Sequence, residues 1–183
     1  MRYVLTDGDG GTSANYDTTV TVSGVNDAPV VDLNAGGAGQ DVTTAFTEQT
    51  PVLIAPVGTL TDVDSATLTA LTVTLTARLD GDGVESLSLN GAATTAASGA
   101  SLTVNYTAAT GVLSITGSAT PAVYQTVLQG LLYNNTSDTP TTSNRSITVV
   151  AHDGTLPSAT QTVTLTVAAV NDAPVNTVPG RKR

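Results

Sequence analysis

The chain has 183 residues, 15 of them acidic and 6 basic, for a formal charge of −9. Three of the cations are Arg181, Lys182 and Arg183, so residues 1–180 carry −12, which speaks against a nucleic-acid footprint. There is no cysteine, no tryptophan and a single histidine, His152; disulfides, cysteine metal sites and three-histidine zinc sites are excluded, and tryptophan-lined sugar platforms with them.

Charged residues make up 11% of the chain, well under the roughly 25% of an average domain. Disorder is still not expected, because 40% of the residues are hydrophobic. Threonine and valine, both β-branched, are abundant, and 17 glycines and 8 prolines supply turns. This composition predicts short strands joined by tight turns, as in a β-sandwich. No apolar run approaches the roughly 20 residues of a membrane-spanning helix. The segment Met1 to Asp7 carries no secretory apolar core, so export would need a signal located elsewhere or already removed.

From the N-terminus, Val4-Leu5-Thr6-Asp7-Gly8 and Thr19-Val20-Thr21-Val22 read as two strands, with Asp7-Gly8-Asp9-Gly10 as a hairpin turn. Val25-Asn26-Asp27-Ala28-Pro29-Val30 follows. The same order of features returns near the other end: Val149-Val150-Ala151-His152-Asp153-Gly154, Thr162-Val163-Thr164-Leu165-Thr166-Val167, then Val170-Asn171-Asp172-Ala173-Pro174-Val175. Asn26 to Asn171 is a period of 145 residues, and self-similarity at a fixed period marks an array. Residues 1–29 are therefore expected to be the last strands and linker of a preceding repeat. Residues 30–170 would be one complete repeat, and 171–183 the start of the next linker with the tail. Two strands cannot bury a core alone, so residues 1–25 are expected either to be disordered or to borrow contacts from a neighbouring molecule.

Within 30–170, the glycines of Asn34-Ala35-Gly36-Gly37-Ala38-Gly39 predict a flexible surface loop. Thr72 to Leu79 alternates polar and apolar residues, as a strand with one buried face does. Asp80-Gly81-Asp82-Gly83 predicts a hairpin turn into a strand at 84–89, and Asn90-Gly91 a further turn. Thr110-Gly111 separates strands at 102–107 and 112–116. One short helix is predicted over 121–130: Pro121 suits its first turn, Gly130 its end, and Tyr124, Val127, Leu128 and Leu131 share one face. Thr162 to Val167 is the last alternating strand.

Taken in order, these segments resemble the cadherin-like repeats of large bacterial surface proteins. The resemblance is carried by Val-Asn-Asp-Ala-Pro at 25–29 and 170–174, Asp62-Val63-Asp64-Ser65, Ala109-Thr110-Gly111-Val112-Leu113, the stretch Tyr124 to Tyr133, and Ala151-His152-Asp153-Gly154-Thr155-Leu156-Pro157-Ser158-Ala159-Thr160. It implies an all-β fold, a Greek-key immunoglobulin/cadherin-like β-sandwich of seven strands, with calcium held where consecutive repeats meet. The cadherin linker Asp-x-Asn-Asp-Asn is kept only in part. Gly24 or Ala169 stands for its first Asp, Ala28 or Ala173 for its last Asn, and no mid-repeat Asp-Arg-Glu is present. One or two Ca2+ ions per junction are expected, more weakly bound than in a three-ion cadherin junction.

By the same resemblance, Asn26, Asp27, Asp62, Asp64 and Asp153 converge at one end of the sandwich as calcium ligands. Glu48 with Asn171 and Asp172 forms a second, incomplete set at the other end. If Asp62 to Asp64 continues extended, its two carboxylates share a face. Calcium takes six to eight oxygens. Two carboxylates about 5 Å apart repel by about 3 kcal/mol at an effective dielectric near 20. Arg78 and Arg145 are the only cations between residues 30 and 170, too few to neutralise such a set. The alternative for each aspartate is turn capping with the carboxylate in water, and for Glu48 a solvated strand position. His152 beside Asp153 suggests acid–base chemistry, but no cysteine or serine nucleophile elbow accompanies it, and no enzyme is expected.

The function expected is a non-enzymatic, extracellular, calcium-binding structural module of a long bacterial cell-surface adhesion protein. Its partners would be the adjacent repeats of the same chain. The alternative is a carbohydrate- or protein-binding β-sandwich module, with surface glycans or proteins as partners. No nucleic-acid partner and no membrane span within this stretch are expected.

Overall fold

A computed structural model describes residues 2–173. Pro174 and Val175 of the second linker motif, and the tail to Arg183, lie outside the described residues. The regular structure of the described residues is mostly β-strand, with two short helices. In chain order the elements are β1 (Arg2–Tyr3), β2 (Tyr16–Asp17), β3 (Val30–Asp32), β4 (Val42–Thr47), β5 (Val52–Leu53), β6 (Thr59–Thr61), β7 (Leu68–Leu75), β8 (Glu85–Leu89), α1 (Gly91–Gly99), β9 (Thr103–Thr107), β10 (Val112–Ala119), α2 (Pro121–Gln129), β11 (Leu131–Asn135), β12 (Arg145–His152) and β13 (Gln161–Ala168). Eleven strands, rather than seven, thus lie between Val30 and Ala168.

Six of them form the main sheet, in the order β4-β13-β12-β7-β10-β9. All its pairings are antiparallel except β4 with β13. The period-2 alternation of β7, β10, β12 and β13 sets the register. Val73 stands opposite Leu113 and Val149, Leu71 opposite Ile115 and Ala151, and Leu75 opposite Ile147. These side chains are fully buried, and the threonines between them occupy the other face, so a one-residue slip would invert every row.

The apolar rows meet a three-stranded sheet, β5-β11-β8, the β3–β6 pair and the two helices over one shared core. Phe46 of β4 packs edge-on against Tyr133 of β11, with ring centroids 4.9 Å apart. Helix α2 lies where the sequence predicts it. Pro121 opens it, Gly130 ends it, and Tyr124, Val127 and Leu128 are buried.

Four local expectations are corrected. The strand predicted over 72–79 runs from Leu68 to Leu75. It stops because Arg78 turns back, donating to the Leu75 carbonyl at 3.0 Å and the Ala109 carbonyl at 3.0 Å. Asp80–Gly83 is not a hairpin turn, because β7 and β8 lie in different sheets and the segment crosses between them. Asn90-Gly91 does not make a turn but opens α1. Asn90 caps the helix by accepting from the Ala93 amide at 2.8 Å, and the alanine-rich run behind it prefers helix. The 34–39 loop is on the surface but pinned. The Asn34 side chain donates to the carbonyls of Ala38, Gly39 and Asp41, and Asp32 accepts from the Asn34 and Gly36 amides.

The N-terminal segment forms a hairpin with Tyr3 opposite Tyr16, closed by a bridge between Thr6 and Thr12. The Asp7–Gly10 turn is thus a hairpin turn, as predicted. The second strand lies at Tyr16–Asp17, and not at Thr19–Val22 as the sequence predicts; Leu5 of the hairpin and Val20, Val22 and Val25 beyond it are exposed.

Candidate metal centre

One pole of the body gathers the loop after β6, the loop after β12 and the linker before β3. Each loop is shaped by its first aspartate. Asp62 Oδ1 accepts from the amides of Asp64 (3.2 Å) and Ser65 (2.8 Å). Asp153 Oδ1 accepts from the amides of Thr155 (2.5 Å) and Leu156 (2.7 Å). The chain therefore turns at Asp62 instead of continuing extended, which corrects the expected geometry of that pair. Turn capping accounts for one oxygen of each carboxylate and leaves the other free to do something else.

The linker docks on the second oxygen of Asp153 and on Asp64, and not on Asp62 Oδ2. The Asn26 amide nitrogen donates to Asp153 Oδ2 at 2.8 Å, and the Asp27 backbone amide donates to Asp64 Oδ2 at 3.1 Å. Ser65 Oγ reaches Asn26 Oδ1 at 3.4 Å. These bonds place Asn26 and Asp27 of the linker against the loops that carry Asp62, Asp64 and Asp153. The Asp153 side chain is 1% exposed. Its carboxyl is held below the ordinary value of 3.8, first by the Asn26 hydrogen bond and then by the Leu156 amide; its burial acts the other way.

Asp62 Oδ2 differs from its neighbours. It is buried, and no donor among the described residues reaches it. A carboxylate oxygen removed from water without a partner is unfavourable. A pocket of about 550 Å³ opens beside it, lined by Asp27, Ala28, Val30, Thr61, Asp62 and Val63. Both arginines of the body are engaged at the opposite pole, Arg78 with Asp82 and Arg145 with Asp80 and Glu85. Among the described residues no three His, Cys, Asp or Glu side chains stand grouped as a ready-made metal site. The donors that do converge are carboxylate and amide oxygens, which suit a hard divalent cation by chemistry.

His152 sits at this pole, 40% exposed by its side chain. Its Nδ1 accepts from the Gly154 amide at 2.9 Å and lies 3.9 Å from Asp153 Oδ1.

The second expected set is less assembled. Glu48 follows β4 at the far pole, is 5% exposed, and its amide bonds the Ala168 carbonyl at 3.2 Å, three residues before Asn171. It is not a solvated strand position, and its Oε2 is buried without a partner. Asn171 and Asp172 are exposed, and no hydrogen bond among the described residues joins them to the Glu48 side chain.

A third cluster escapes reading by motif. Arg145, with a side chain 0% exposed, bonds Glu85 Oε2 at 3.0 Å and Asp80 Oδ2 at 2.5 Å, and donates to the carbonyls of Thr141 and Ser143. Tyr133 donates its hydroxyl to Glu85 Oε2 at 2.7 Å. Burial would push Asp80 up, but the Thr141 hydroxyl and amide, the Asn135 amide and the Arg145 guanidinium together hold it below its ordinary value. Each guanidinium nitrogen has an acceptor, so the cluster pins the two sheets together. Its signal was phase: Arg145 falls in step with Ile147 and Val149, and Glu85 with Leu87, on faces otherwise apolar.

No protein-family model, curated protein or solved structure matches the chain.

Proposed function

We propose that this chain is a non-enzymatic, calcium-binding structural repeat of a long bacterial cell-surface adhesion protein. In this reading the six- and three-stranded sheets are the layers of a Greek-key, cadherin-like sandwich. The ion would be held by Asp27, Asp62, Asp64 and Asp153, with Asn26 contributing once its amide turns its oxygen inward. The ion would supply charge neutralisation where one repeat hands over to the next, clamping the linker and making successive repeats a semi-rigid rod outside the cell.

The observation that carries this reading is the orphaned, buried Asp62 Oδ2 within a cluster of carboxylates that no arginine among the described residues reaches. Turn capping alone explains Oδ1 and leaves Oδ2 unexplained. Support also comes from the linker, which touches the body through two carboxylate oxygens.

Extracellular modules bind calcium with Kd of roughly 10⁻⁴–10⁻³ M. At about 5 mM calcium, mass action then stabilises the folded junction by about 1–2 kcal/mol, or roughly 2–8 °C in Tm for a chain of this size. A melt in chelator against one in calcium tests this, with magnesium as control. Identical melts in all three would overturn the reading.

A further inference from the structure

We propose that β9 is the receiving edge of a self-association in which residues Thr18–Val22 of a second copy add to it as a further strand. Sheet edges are normally protected by charge, proline, a bulge or a covering element. β9 closes the six-stranded sheet and pairs only with β10, in unbroken register from Thr103 opposite Thr116 to Thr107 opposite Val112. Four of its five residues are exposed. It also lies in a stretch of 52 residues, Ser86 to Ser137, that contains no Asp, Glu, Lys or Arg. Arg78 reaches the Ala109 carbonyl beyond its end, with its charge already paired to Asp82.

The donor is strand-like in sequence yet has no strand beside it. Residues 18–25 take part in no hydrogen bond among the described residues, and Val20 and Val22 are 76% and 87% exposed. The 145-residue period aligns Thr18–Val22 with Val163–Val167 of β13, which has a neighbour on each side, β12 and β4. The alignment reaches the hydrogen-bonding pattern. Tyr3 opposite Tyr16 repeats Val149 opposite Gln161, with a turn one residue longer. Asp7 Oδ1 accepts two turn amides, as Asp153 Oδ1 does. The hairpin thus fixes where Thr18–Val22 leaves it, as a continuation of its second strand that becomes ordered on docking.

Insertion into the β12–β13 place of a second copy is disfavoured. Leu5 would replace Ala151 and Tyr3 would replace Val149, both 0% exposed, and Arg145 would be lost from Glu85. The β9 edge has no such conflict. Val104, 40% exposed, and half-buried Tyr106 share one face of β9, with Thr103, Asn105 and Thr107 on the other. A donor laid beside it sets Val20 and Val22 next to Val104 and Tyr106, and its threonines next to Thr103 and Thr107. Reciprocal donation gives a closed two-fold dimer.

Sedimentation of the full chain in chelator, from about 10 μM to about 1 mM, reads the association without metal. The expected result is a monomer–dimer equilibrium. Val20→Asp with Val22→Asp, on the donor, and Val104→Lys, on the receiving edge, each weaken it by at least about tenfold, since burying one valine is worth about that factor. The melting temperature of the body stays at the parent value in both. Mixing the two variants restores a heterodimer through the one intact donor and one intact edge. A monomer throughout overturns the proposal. So does loss of the dimer with Val104→Lys alone, which means β9 pairs with β9, or with the donor pair alone, which means the hairpin packs elsewhere.

Discussion

Asp62→Asn separates a metal ligand from a turn cap by the sign of its effect. Asparagine caps turns as well as aspartate does, so the bonds from the Asp64 and Ser65 amides to Oδ1 survive the change. What the substitution removes is the negative charge on the buried, unpartnered Oδ2. Two unit charges 4 Å apart interact by about 1 kcal/mol in water and about 4 kcal/mol at an effective dielectric of 20. Asp27 and Asp64 are exposed, so the relief belongs near the lower figure, about 1 kcal/mol, which raises Tm by roughly 2–4 °C in chelator. In about 5 mM calcium the variant forgoes the ion's own stabilisation of about 1–2 kcal/mol. The two melting curves therefore cross: Asp62→Asn is the more stable protein without calcium and the less stable with it. Scanning calorimetry of parent and variant in both buffers reads this directly. Asp82→Asn, exposed at the opposite pole, serves as control and shows no crossing. Equal Tm values in chelator together with an unchanged calcium response would refute the ligand role and leave Asp62 as a turn cap.

Two further outcomes follow from the other clusters. Arg145→Met strands the fully buried Glu85 carboxylate, and breaking such a pair from one side costs about 3–5 kcal/mol. Chemical denaturation should show that loss, with much of it recovered when Glu85→Met is added; a single-variant loss below about 1 kcal/mol contradicts the pin. Asp153 has its carboxyl lowered in the folded protein chiefly by Asn26. The stability it contributes is therefore present above 3.8 and is lost as pH falls below that through the folded value. Asn26→Ala should move the Asp153 titration, followed by carboxyl NMR, back up toward 3.8, and an unmoved midpoint would contradict the docking bond.

What could be read from the residues depended on whether the signal was local. Alternation placed Val73, Leu75, Val163 and Leu165 on a buried face, and Pro121 and Gly130 bracketed α2, because each signal is contained within a few residues. Helix α1 was missed because Asn90-Gly91 is a strong turn signal, and only its context, with Ala93 and Ala97 buried, makes Asn90 a cap. The Asp80–Gly83 segment looked like a hairpin for the same reason. Nothing local shows that the strands on either side belong to different sheets, held by Arg145 some sixty residues away. That the Asp62–Asp64 and Asp153 loops share one pole was expected only through the family resemblance. That Asp62 and Asp153 each spend one oxygen on their own turn could not be read from it, since it depends on the turn each aspartate makes.

The two linkers bear on how the acidic pole works. Asn26 donates its amide to the Asp27 carbonyl at 3.1 Å, and Asn171 does the same to Asp172 at 3.3 Å. One is docked on a folded pole and the other is exposed, yet both hold the same bond. The turn is therefore intrinsic to Asn-Asp and does not depend on what it meets. A segment already shaped before docking needs little further ordering, so how firmly it docks rests on the carboxylates it approaches. In the docked copy those are Asp64 and Asp153, each giving one oxygen to the linker, while Asp62 keeps one in reserve. Charge and not chain conformation is then the variable at this pole, and a divalent cation, acid or a neutralising substitution at Asp62 should each act on it through the same few oxygens.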